Sequence, residues 1–447
     1  MKKLFTTLSN IWKIQELKER IVFTLVILLV YRFVSHVVLP GVDATALGDN
    51  QKSGILGLLD MFAGGSFSRV SILALGVMPY ISASIVVQLL GIAVPSFQKM
   101  QKEGESGRNK LNQITRYLTV AITAVQAVGY VKTQVPVEAI LIDHTLFFVL
   151  STFVLCAGTL FVMWLGEKIT DKGIGNGISL IIMVGIIARL PVALQQEISS
   201  RFVGEGGLIA LILEIVALFA VVMFTILIVQ GVRKVPVQYA KRIVGNRQFG
   251  GVRQYIPLKV NAAGVMPIIF AQALMFIPTT LTQFFPSLQN TWLIQFSDPT
   301  SLAYSLTFAF LIIAFTFFYT AITVNPVQMS DDMKKNGGFI PGIKPGLSTS
   351  SFIDDVISKI TFPGSVFLAI VAILPSLAVK FGIKSEFAHF YGGTSLLILV
   401  GVVLDTLQQI ESYLLMRHYD GLMKTGRVTG RTGIPAASAT SEGSAVI

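Results

Sequence analysis

The chain has 447 residues, of which 53% are hydrophobic and 13% charged, with a net charge of +11. Soluble globular chains carry roughly 25% charged residues, so this one cannot cover a water-facing surface, and its apolar excess must meet lipid. A single cysteine (Cys156), four scattered histidines (His36, His144, His389, His418) and no phosphate-binding glycine loop exclude a disulfide framework, a cysteine-based metal site and self-contained nucleotide hydrolysis.

The first 20 residues are basic and amphipathic, with Leu4, Leu8, Ile11, Ile14 and Leu17 at helical spacing. No cleavable signal stands there, and the segment reads as a cytosolic helix against the membrane surface. Apolar stretches of the roughly 20 residues needed to cross about 30 Å of hydrocarbon follow at 21–40, 73–94, 115–131, 146–165, 174–191, 208–230, 261–281, 302–324, 361–379 and 394–416. The expectation is an all-α polytopic membrane protein with ten transmembrane helices. With Arg116 and Arg189 at span edges counted in the adjoining segments, alternate connecting segments, starting from the N-terminus, hold 27 of the 35 Lys and Arg residues, and the intervening ones hold seven. The basic side lies inside, which puts both ends in the cytoplasm.

Between the first two spans, 41–72 exceeds a hairpin, and its apolar end at 55–72 is broken by Gly64 and Gly65. It reads as a re-entrant element, or as an amphipathic helix on the outer surface. Two basic-side loops, 232–260 and 328–360, are longer than a connection requires. The first carries Arg233, Lys234, Lys241, Arg242, Arg247 and Arg253, and the second carries Lys334, Lys335 and Lys344. Their length favours a docking surface for a large anionic partner over a merely solvated loop. Residues 425–447, rich in Gly, Ala, Ser and Thr, read as a disordered tail.

Spans two and seven share Gly-Val-Met-Pro, at Gly76–Pro79 and Gly264–Pro267, while spans five and ten open on Gly177-Ile178-Ser179-Leu180 and Gly393-Thr394-Ser395-Leu396. The offset is five both times. An odd offset means two five-helix halves of inverted topology, 21–191 and 192–424, with a pathway at their interface and Pro79 and Pro267 kinking helices beside it. Of the charges within spans, Arg32, Glu214 and Asp405 stand out, each costing roughly 2.5–3.5 kcal/mol or more at the bilayer centre. Arg32 and Glu214 lie near outer ends and can snorkel or pair. Asp405, the deepest, is an ion-coupling carboxylate or, as we favour, a hydrogen bond between helices. The glycine cluster 173–177 lacks nucleotide-loop spacing and reads as an interhelical turn. Ile81 and Ile85, like Ile178 and Ile182, share a helix face.

Together these residues resemble the SecY family of protein-conducting channels in its bacterial form. The strings carrying the resemblance are Ala74-Leu75-Gly76-Val77-Met78-Pro79-Tyr80-Ile81-Ser82-Ala83-Ser84-Ile85, Glu103-Gly104-Glu105-Ser106-Gly107-Arg108, Trp164-Leu165-Gly166-Glu167, Pro257-Leu258-Lys259-Val260-Asn261 and Gly392-Gly393-Thr394-Ser395-Leu396-Leu397. The resemblance implies an hourglass pore with an apolar ring of Ile81, Ile85, Ile178, Ile182, Ile269 and Ile398. It also implies an outer plug helix around 59–72, with Leu59, Phe62, Gly64, Gly65 and Arg69. A lateral gate between spans two and seven would include Ser82, Gln88 and Asn261. The implied function is passage of unfolded polypeptides across, and sideways into, the bacterial cytoplasmic membrane, without catalysis, cofactor or metal. The implied partners are the small subunits SecE and SecG, the SecA ATPase, the ribosome with its RNA, secretory preproteins with their signal sequences, and lipid. Lys344 stands where the family often has arginine, keeping the charge and losing the planar donor fork. The rival reading is an ion-coupled secondary transporter with its site near Asp405.

Overall fold

The structure is a computed structural model, and the residues described are 14–43, 60–203, 207–239, 242–244, 247–249, 253–284, 295–296, 298 and 301–424. Thirteen helices run through them. They are α1 (Gln15–Val34), α2 (Met78–Ala93), α3 (Pro95–Lys102), α4 (Glu105–Gln134), α5 (His144–Lys172), α6 (Gly177–Val203) and α7 (Gly207–Val229). After a strand region come α8 (Met266–Phe284), α9 (Leu302–Thr323), α10 (Pro326–Lys335), α11 (Leu347–Lys380), α12 (Ser385–Ala388) and α13 (Gly393–Lys424).

Seven helices are long and apolar enough to cross a membrane, and α2 with α3, bent by 104° across Val94, makes an eighth if counted as one. Of the other expected spans, α1 carries Glu16, Lys18, Glu19, Arg20 and Arg32, and the side chains of α8 are described only over 266–275. At the other extreme, only 11% of the apolar window of α7 is buried, so that helix offers its side chains to lipid.

Several boundaries differ from expectation. The surface helix expected over 1–20 falls partly outside the described residues, and its end from Gln15 runs unbroken into the first span. The second span starts at Met78, not at 73, because Gly76 takes φ +53° and interrupts the chain. Pro79 therefore sits in the first turn of α2, and Pro267 is likewise the second residue of α8. Proline is helix-compatible there, its missing N–H being unpaired in any case; these prolines start helices and do not kink them. Pro191, expected to close the fifth span, lies inside α6.

The repeat has a structural counterpart. Gly76 and Gly264 both adopt left-handed φ (+53° and +63°), and each shared string starts its helix on the methionine. The second string starts α6 on Gly177 and α13 on Gly393. Packing repeats as well, because α2 lies on α4, α4 on α5 and α5 on α6, while α8 lies on α9, α9 on α11 and α11 on α13.

The basic loops are not purely helical or irregular. Strand β1 (Val232–Tyr239) pairs antiparallel with β4 (Arg253–Lys259), with β2 (Arg242–Val244) and β3 (Arg247–Phe249) forming a smaller ribbon between them. Strand β5 (Gly338–Phe339), from the second loop, pairs with the far edge of β1 through Gln238↔Phe339 and Tyr239↔Gly338. Val235 and Val237 point inward onto Met333, Ile340 and Ile353, the alternation of a half-buried strand. Within this predominantly helical fold, the small sheet joins both loops into one body.

Close helix approach is set by glycine at Gly158 of α5, where a Cβ would fall 2.3 Å from the Ile72 carbonyl oxygen. Gly158→Leu should therefore destabilise the fold by about 1–3 kcal/mol or more, read as a lowered unfolding midpoint of the purified protein. Substitution at open Gly104, where a Cβ meets nothing within 4 Å, lacks that clash.

Candidate pore, plug and gate

The re-entrant segment returns on itself next to α1. Val38 and Ser71 form an antiparallel bridge, Leu39 N donates to Val70 O (2.9 Å) and Ile72 N to Val37 O (3.0 Å). Among the described residues it is helical at 60–62, after which linked turns run to 77. The cause is Gly64 and Gly65, at φ +65° and +87°, a conformation that breaks a right-handed helix. Leu59 lies outside the described residues. Phe62 is buried, and the segment rests against α6, where a Cβ on Gly185 would fall 2.7 Å from Phe62 O.

Polar groups fasten it. The Gly64 carbonyl accepts from Arg32 Nη1 (2.7 Å) and Arg69 Nη2 (3.1 Å), and Tyr130 Oη donates to Phe67 O (2.6 Å). Asp60 accepts the Ser68 N–H at 2.8 Å and forms an ion pair with Arg189 of α6. Burial, and after it the Arg32 charge, lowers the pKa of Arg69. Across the interface, Ser395 Oγ of α13 donates to the Met61 sulfur (3.2 Å). The segment thus touches both halves.

Beneath it the apolar residues converge. Ile182 and Ile398 are buried in one cluster with Met61, Phe62, Leu73 and Val77, and Ile81, Ile178 and Ile269 pack against it. Five of the six isoleucines implied for the ring therefore come together, from α2, α6, α8 and α13. Ile85, one turn further along α2, is half-buried and outside the cluster. The glycine turn before α6 is held from three sides. Ile174 N donates to Thr24 Oγ1 (3.2 Å), Gly175 N to Gln409 Oε1 (2.8 Å) and Gly177 N to Thr170 Oγ1 (2.9 Å).

The helices expected to flank a gate, α2 and α8, lean chiefly on α4 and α9 of their own halves and not on each other. Ser82 Oγ donates back to Met78 O (3.1 Å) and Gln88 Nε2 to Ser84 Oγ (3.3 Å). Asn261 is buried, with its Oδ1 unpaired. Of the docking candidates, Arg233 and Lys234 are exposed on β1, Lys334 and Lys335 at the end of α10, and Lys344 in the following turn. The backbone places Arg242, Arg247 and Arg253 on β2, β3 and β4. Lys241 lies outside the described residues.

The charges inside spans divide. Arg32 binds the plug carbonyl, and Glu214 pairs with Arg201. Asp405 is exposed and makes no hydrogen bond or ion pair among the described residues, so the interhelical bond favoured for it is absent there. Arg189, near the expected end of the fifth span, lies well inside α6. The Asp60–Arg189 pair went unseen; the signal was an acidic residue in the interrupted apolar segment and a basic one within an apolar run.

An apolar waist assembled from several spans and covered by a segment of the same chain is the build of a membrane channel. A family model described as SecY matches residues 71–407. The protein translocase subunit SecY of Halalkalibacterium halodurans is 43% identical over 436 residues, covering 94% of this chain and all of the relative. That of Chlamydia trachomatis is 40% identical over 457 residues, covering 95% of this chain and 99% of the relative. Among solved structures, a protein-conducting channel superposes with a TM-score of 0.66 at 18% identity, over 92% of this chain and 95% of that one. A Sec61 chain from a canine ribosome–channel complex does so at 0.61 and 18%, over 92% and 95%; both show likeness of fold. This chain belongs to the SecY family.

Proposed function

We propose that this chain is the central channel subunit of the general secretory translocase, passing unfolded polypeptides across the bacterial cytoplasmic membrane and releasing apolar segments sideways into lipid. The observation that carries this reading is that five isoleucines from both halves belong to one apolar cluster together with Met61 and Phe62 of the plug segment. Narrow rings of branched apolar side chains resist wetting and so block ions, while their rotamers yield to a passing chain. Segments that reach lipid through a side opening gain about 25 cal/mol per Å² of apolar surface. The limited contact between α2 and α8 favours that opening, with Ser82, Gln88 and Asn261 along it.

The chain is no enzyme, and its work is driven by partners. Relatives of known structure include a Sec61 channel on the canine ribosome and an idle yeast Ssh1 complex on the 80S ribosome. The exposed Arg233, Lys234, Lys334, Lys335 and Lys344, on loops joined by one sheet, suit docking of ribosomal RNA and of the SecA ATPase, with SecE and SecG as membrane companions. The basic loops orient the chain with both ends in the cytoplasm. The transporter alternative finds no support in the two relatives compared above, both of them translocase subunits. Depleting the chain from cells should accumulate unprocessed secretory precursors in the cytosol, and Asp405→Asn should restore export as well as the unaltered chain does. Normal export without the chain, or an uptake defect in Asp405→Asn with export spared, overturns the reading.

A further inference from the structure

The outer end of α6 meets α7 and the α12 hairpin around a buried cluster that neither the plug nor the waist uses. Arg201 of α6 is its hub. Its Nε donates to Glu197 Oε1 at 2.9 Å, its Nη2 to Gly382 O at 3.0 Å, and the same nitrogen to Glu214 Oε1. Glu197 is 0% exposed and Glu214 6%. The second oxygen of Glu197 accepts the Lys384 backbone N–H at 2.9 Å, so Glu197 is satisfied at both ends. Glu214 is not. Its Oε2 is buried without a partner, and so is the Tyr391 Oη. Tyr391 stands close enough that, after its own burial, the Glu214 and Glu197 carboxylates raise its phenol pKa.

Two ionised carboxylates against one guanidinium leave one negative charge in a site almost closed to water. The remaining groups nearby do not cancel it. Lys384 turns its ammonium to solvent, Glu386 adds negative charge and faces Arg189, and burial holds His389 neutral by pushing its pKa down to about 4. An unpaired charge at such depth is removed most readily by taking up a proton. We propose that Glu214 holds one proton at neutral pH, making Glu197, Arg201, Glu214 and Tyr391 a proton-binding clasp. It joins the outer end of α6 to α7 and to the segment around α12. The proton sits on Oε2, the atom with no donor, and leaves Glu197 and Arg201 as a neutral pair. Loss of the proton puts two carboxylates on one arginine and loosens that joint.

The sign follows from linkage. A carboxyl that keeps its proton in the folded chain favours folding fully below its unfolded pKa of about 4.3, and that favour is lost as pH rises through the folded value, by about tenfold in the folding equilibrium per pH unit. Thermal unfolding of the purified full chain between about pH 5 and about pH 9 should show the midpoint falling with pH. Glu214→Gln, a neutral isostere of the protonated acid, should flatten that dependence. Infrared spectra of the unaltered protein at neutral pH should also show the carbonyl stretch of a buried protonated carboxyl, absent from Glu214→Gln and kept in Tyr391→Phe. Should Glu214→Gln fail to fold, the same band titrated in the unaltered chain decides. No protonated-carboxyl band at neutral pH overturns the proposal. So does stabilisation by sodium over N-methylglucamine at equal ionic strength with no such band, which makes the site a cation site.

Discussion

Asp60→Ala should raise the resting ion conductance of membranes holding this chain by about a hundredfold. Asp60 is 3% exposed and ties the plug segment to Arg189 of α6 while accepting the Ser68 N–H. Removing one partner of a buried pair strands the other and costs about 3–5 kcal/mol. The Arg189 side chain keeps 22% exposure, which puts the loss at the low end. About 3 kcal/mol is a hundredfold shift between a seated and an unseated plug. Asp60→Asn, which keeps the shape and an acceptor for Ser68, should fall between. Single-channel recording in planar bilayers reads the effect. Asp354→Ala, at an exposed position on α11, should leave the baseline unchanged, and equal conductance in Asp60→Ala would remove the plug from any sealing role.

Ile182→Ala combined with Ile398→Ala should open the waist itself. Both side chains are buried, at 5% and 3% exposure, in the cluster beneath the plug. Each truncation costs about 2–5 kcal/mol of packing and widens a constriction whose resistance to wetting depends on apolar bulk. Ion flux through the double variant should exceed that of the unaltered chain even with the plug in place, and rise further with Asp60→Ala. Ile353→Ala is the matched control, with 2% exposure in the cytosolic cluster beside the sheet. It should lower stability comparably and leak nothing.

The spans were legible because lipid imposes composition and length together, and the alternation of basic segments is readable from charge alone. The repeat was legible as strings, but the role of its prolines was not. Whether a proline kinks a helix or starts one depends on the residue three positions before Pro79 being in left-handed φ, which Gly76 permits and does not dictate. The strand β1 was missed because Val235 and Val237 give only two inward positions within a basic loop, too short a period to outweigh its charges. Ile85 shares a face with Ile81 along α2, yet a shared face fixes direction and not depth, and only Ile81 reaches the cluster. The fifth span was expected to close at Pro191, whereas α6 carries on through that proline to Val203 and so encloses Arg189. Pairings such as Asp60–Arg189, or Glu214 on Arg201, join separate segments of the chain, and no helical spacing announces them.

The most direct measurement is photocrosslinking from single sites to a secretory chain arrested halfway through export. Probes at Ile81 and Ile269, which pack against the central cluster from opposite halves, should both capture the arrested chain. A probe at Phe219, 66% exposed on the outward face of α7, should capture lipid. Capture at Phe219 with none at Ile81 or Ile269 would place the path outside the bundle and contradict a conduit through its middle.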